Sequence, residues 1–117
     1  MRLRLLLSFL VGGIAFAQPP SSDHARLLAE AAEADLSQIQ LANLALSRSH
    51  NPEVRAEARR TLDDRARDYQ AKKRIADREG LPFPSEPAGN AKALLEDLAS
   101  MSGNAFDRAY LEEARVR

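Results

Sequence analysis

Residues 41–58 read LANLALSRSHNPEVRAEA. Asn51-Pro52-Glu53 is the clearest boundary in the chain. An Asn side chain caps the free N–H groups of a helix start. Pro at the first helical position loses nothing, because its missing N–H would have had no partner there. Glu in the first turn faces the positive end of the helix dipole. Leftward from this point the chain holds no Gly or Pro as far back as Asp23 and is dominated by Ala and Leu, both strong helix formers. Rightward it stays free of both until Gly80, a residue suited to the left-handed stop of a helix. The spacing therefore predicts two long helices, about 23–49 and 52–79, joined by a few residues and so antiparallel.

The first helix carries a broad apolar stripe. Leu28, Ala32, Ile39, Ala42 and Leu46 form one row, broken by Asp35, and Leu27, Ala31, Ala34, Leu41 and Ala45 form its neighbour. The small Ala residues suit close approach of a second helix. The second helix is less regular. Val54, Ala58, Leu62, Tyr69, Ile75 and Ala76 are its apolar candidates, but Glu57, Thr61, Arg65 and Lys72 sit among them where a bundle helix would prefer apolar side chains. Asp63–Arg67 and Arg60–Asp64 are spaced to pair on its surface, each worth about 0.2–0.5 kcal/mol.

Beyond Gly80, Leu81-Pro-Phe-Pro-Ser-Glu-Pro87 predicts an extended linker, with Phe83 as a possible anchor. A short helix is expected from about Ala91 to Met101, with Leu94, Leu95 and Leu98 apolar. Gly103 then breaks the chain, with Ser102 or Asn104 as cap. In the last segment Phe106, Tyr110 and Ala114 recur every four residues, and no stop signal follows Ala114. No strand pattern and no internal repeat is visible.

The N-terminus has the form of a secretory leader: Arg2 and Arg4, an apolar run from Leu5 to Ala17, and the small-x-small pattern Ala15-Phe16-Ala17. The run is too short for comfortable passage through a bilayer, which takes about 20 apolar residues. Residues 1–17 are read as a signal peptide cleaved after Ala17, 18–22 as a polar lead-in and 23–117 as one helical domain. This predicts a periplasmic or secreted protein with no membrane span after cleavage. Removing Arg2 and Arg4 from 17 basic and 17 acidic residues leaves a net charge of −2, which offers no basis for nucleic-acid binding. There is no Cys, so neither disulfides nor thiolate metal sites are available, and the fold must rest on packing.

DLSQIQLANLALSRSHNPEVRAEARRTLDD (35–64), REGLPFP (78–84) and LASMSGNAFDRAYL (98–111) together resemble the bacterial family called domain of unknown function 4142. The likeness runs from about Asp23 to Glu113. It implies an exported, all-α, ferritin-like antiparallel bundle. Family members continue past the FDRAYL helix and add another long one, so the resemblance implies an incomplete bundle here: two long helices, a Pro-rich linker, a short helix and a truncated last helix. It also implies an Asp-Asp-His in the second helix, where this chain has Asp63-Asp64-Arg65, and a Glu in the first, where it has Gln38. Glu57, Thr61 and Lys72 stand where the family has large apolar residues.

Ferritin-like metal sites need inward carboxylates and a Glu-x-x-His on one helical face, and this sequence contains no Glu-x-x-His. His24 and His50 sit near helix ends. Asp63 and Asp64 are weak metal candidates, read first as a solvated, salt-bridged face. Ser47 and Ser49 lie beside His50, but adjacency along a chain does not make a nucleophile and its base. No catalytic group and no cofactor is assigned. The expected function is a structural or interaction role for a non-catalytic exported protein. The expected partner is a second copy, paired through exposed apolar helix faces with Leu41 at the seam. The alternatives are a metal-binding ferritin-like protein and a non-functional truncated remnant.

Overall fold

A computed structural model of the chain describes residues 22–116. The leader, its cleavage site and most of the lead-in fall outside the described residues. Four helices follow one another: α1 (Ser22–Arg48), α2 (Pro52–Glu79), α3 (Gly89–Ala99) and α4 (Gly103–Arg115), with no strand among the described residues. No helix among them is long and apolar enough to cross a membrane. The all-α bundle expected from the sequence is what the chain forms.

The local signals act where they were read. Asn51 has an extended backbone, and its Oδ1 accepts from the N–H groups of Glu53 at 2.8 Å and Val54 at 3.4 Å. Gly80 ends α2 in the left-handed region, at φ 67° and ψ 32°, and the Leu81 N–H then closes back onto the Ala76 carbonyl at 2.9 Å. α3 begins and ends two residues earlier than the apolar spacing predicts. Ser100 closes its last turn by donating its hydroxyl to the Asp97 carbonyl at 2.6 Å. Ser102 holds the cap position of α4, but its side chain makes no capping bond.

Each helix runs against the one before it. α3 shares clefts with α1 that pair its first turn with Ser37 and Gln38 and its last with Leu44 and Ser47, so these two run in the same direction. α4 starts beside Ser49 and advances past Glu53 and Glu57 of α2. α1 and α2 have 27 and 28 residues, and α3 and α4 only 11 and 13. At 1.5 Å per residue, the short pair covers about half of the long hairpin.

The hydrophobic core sits in that covered half, next to the α1–α2 turn. It is built from Leu41, Ala42 and Ala45 of α1, Val54 and Ala58 of α2, Leu98 of α3, and Phe106 and Tyr110 of α4. The Phe106 and Tyr110 rings lie nearly parallel with centroids 6.2 Å apart. Leu41 is 2% exposed. It belongs to the interior of one chain and not to a face open to a second copy, because α3 and α4 close over this stretch of α1. The uncovered half of the hairpin is thinner. Its fully buried apolar residues are Ala32 and Ala76, which bring the helices close but remove little apolar area from water. The linker returns along it: Phe83 lies against Tyr69 with ring centroids 5.1 Å apart, and the Tyr69 hydroxyl donates to the Pro84 carbonyl at 2.7 Å.

Candidate functional site

The break at Asp35 in the α1 stripe and the breaks at Arg65 and Lys72 in α2 meet. Arg65 and Lys72 are seven residues apart, two helical turns, and so share one face of α2. Asp35 is buried between them, with its side chain 2% exposed. Lys72 Nζ donates to Oδ2 at 2.7 Å, and Arg65 Nη1 donates to Oδ1 at 3.2 Å. Arg65 also lies 3.7 Å from Asp68 Oδ2. A carboxylate taken out of water requires opposite charge and donated hydrogen bonds, and here each oxygen has one of each. The sequence carried a signal for this cluster, one acid on α1 and two cations at heptad spacing on α2. Reading each helix by itself hides it.

Glu57 and Thr61 are also accounted for. Thr61 Oγ1 donates to Glu57 Oε2 at 3.1 Å, and Arg60 donates to Glu57 Oε1 at 3.0 Å. The surface pairs of α2 differ from the expected ones. Arg67 pairs with Asp64 and Arg60 with Glu57, both three residues apart. Asp63 and Asp64 are exposed on α2, and the structure brings neither into the hairpin interior with Asp35. Among the described residues no group of three or more His, Asp or Glu side chains converges to hold a metal.

A second polar cluster lies at the α1–α2 turn. Ser49 is 3% exposed, and its hydroxyl donates to Asp107 Oδ1 of α4 at 2.6 Å while accepting from the Asn51 N–H at 3.1 Å. Arg55 donates to the carbonyls of Leu46 and Ser49 at 2.7 and 3.1 Å, satisfying groups that the end of α1 leaves open. Arg48 reaches across to the Met101 carbonyl at 3.0 Å. Ser47 turns back to the Leu44 carbonyl, and His50 is exposed at the rim. The Ser49 hydroxyl thus spends its hydrogen bond on a carboxylate that ties the turn to α4. The bond from Ser49 to Asp107 spans 58 residues, and nothing local in the sequence announces it. At the far end of the hairpin His24 Nε2 lies 3.0 Å from Glu79 Oε1, joining the start of α1 to the end of α2.

The profile of one family, described as a domain of unknown function (DUF4142), matches residues 12–117. No curated protein matches the chain, and no solved structure does.

Proposed function

This chain belongs to the family of the domain of unknown function DUF4142, and from that premise we propose that it is an exported, non-catalytic helical-bundle protein with a structural or interaction role. The observation that carries this reading is the occupancy of Asp35. A metal site in a helical bundle presents inward carboxylates whose lone pairs face a shared cavity. Here the buried carboxylate of the hairpin has an ammonium on one oxygen and a guanidinium on the other. A divalent cation entering at this point would have to displace two positive charges. The same groups serve well to join two helices. Export is supported by the arginines, apolar run and Ala15-Phe16-Ala17 at the N-terminus.

Metal analysis of the chain recovered after expression with its own leader tests the main reading. Iron and manganese well below one per chain are expected, and stoichiometric metal would replace this reading with the ferritin-like, metal-binding one. N-terminal sequencing of the same material tests export. A chain beginning at Gln18 is expected, whereas one beginning at Met1 in the cytoplasmic fraction would remove the exported part of the proposal.

A further inference from the structure

The long hairpin has two halves held by different physics. The half near the turn has the apolar core, two covering helices, and aromatic side chains from α4. The other half, α1 before Ile39 and α2 after Leu62, has beside it only the linker and the first turn of α3, which shares a cleft with Glu30–Gln38. It has buried Ala32 and Ala76 together with polar ties: Asp35 to Arg65 and Lys72, His24 to Glu79, and Tyr69 to Pro84. Burying an Ala methyl contributes little compared with a Leu or Phe side chain. The pair at the tip, His24 and Glu79, is 50% and 40% exposed, so water screens it strongly. Asp35 is the one buried charge on α1, and it is where the two helices are joined through groups that cannot all reach water.

We propose that the outer half of the α1–α2 hairpin is a clamp latched by Asp35, which opens as a unit while the core near the turn stays folded. The outer half includes the linker segment seated on Tyr69, because Tyr69 lies between Arg65 and Lys72 on α2 and moves with them. Opening separates Asp35 from both cations, returns all three to water, and uncovers the Leu28, Ala32, Ile75 and Ala76 faces. The ion cluster and the off-centre core set the boundary between the two halves. The clamp stands whether or not the chain proves free of metal.

Hydrogen exchange of the wild-type chain, resolved by residue, tests the clamp directly. The amides of about 26–37 and 66–78 should exchange together through an opening much more frequent than the one that exposes 42–47, 55–61 and 107–111. In Asp35→Asn, which keeps the side-chain volume and removes the charge, protection of the outer group should fall at least about tenfold and that of the inner group should hold. A triple variant, Asp35→Leu with Arg65→Met and Lys72→Met, replaces the ions with apolar contact and should restore outer protection. One common opening for both halves in the wild type would overturn the proposal, and that result needs no variant to fold. Equal losses in both halves of Asp35→Asn, or no loss in the outer half, would overturn it as well.

Discussion

Asp35, Arg65 and Lys72 are not equivalent partners, although each looks like the same kind of interruption in an apolar row. Arg65 is 41% exposed and Lys72 24%, on long stems that can carry their charged ends to water. Asp35 is 2% exposed on a short one and has no such route. The cost of breaking the cluster therefore depends on which side is removed. Asp35→Asn releases two cations that can solvate themselves, and it should cost about 1.5–2 kcal/mol. Arg65→Met with Lys72→Met strands a buried carboxylate and should cost about 3–5 kcal/mol. Urea titration of the two variants checks the order, and equal losses would contradict it. The cluster also selects the alignment of the helices. Sliding α1 by one turn, about 5.4 Å, would bring Asp35 level with one cation and leave the other about two turns away, so one carboxylate oxygen would lose its partner.

At the scale of the helices, ends are decided within a few residues along the chain. The Asn51 side chain satisfies two N–H groups that α2 would otherwise leave open. Asn51→Ala should cost about 1 kcal/mol, read as a lower urea midpoint with an unchanged slope. Gly80 sits at φ 67°, and a Cβ placed there would meet nothing within 4 Å. Gly80→Ala should therefore cost about 1 kcal/mol from backbone conformation alone, with no clash to relieve. Gly80→Asn should cost less, because Asn tolerates the left-handed region better than Ala. Equal melting temperatures for the Ala and Asn variants would show that neighbouring contacts decide at this end. These caps, the Pro-rich linker and the break at Gly103 are readable because their causes are local. The difference at α3 is of the same local kind: its last turn is closed by the Ser100 hydroxyl, while apolar spacing alone extends it to Met101.

At the scale of the molecule, the uneven lengths of the described helices leave one half of the hairpin under α3 and α4 and the other outside their reach. Association with a second copy, where it occurs, has to use what lies outside. Leu27 on the open half of α1 is 58% exposed, and Leu41 on the covered half is 2% exposed. Leu27→Glu should leave thermal stability and the helical circular dichroism nearly unchanged, because the side chain it replaces already faces water. Leu41→Asp should act differently, because it places a carboxylate in the core without a partner. It should lower thermal stability whatever the oligomeric state. Loss of association without loss of stability in Leu41→Asp would place that residue at an interface and contradict its position in the core.

The sequence by itself determined that the chain is all-helical, where α2 begins and ends, that α1 and α2 are antiparallel, and which family the chain belongs to. Each of these follows from residues close together in the chain or from the order of motifs along it. Only the tertiary structure decided what the irregular residues do. Asp35 meets Arg65 and Lys72 because α1 and α2, joined by a three-residue turn, pack in one alignment; Ser49 meets Asp107 because α4 docks beside that turn, and Phe83 seats on Tyr69 because the linker folds back along α2. A stripe of Ala on one helix is compatible with several alignments against another. Which polar side chains face each other follows from the one adopted, and that information is shared between segments 30 to 58 residues apart.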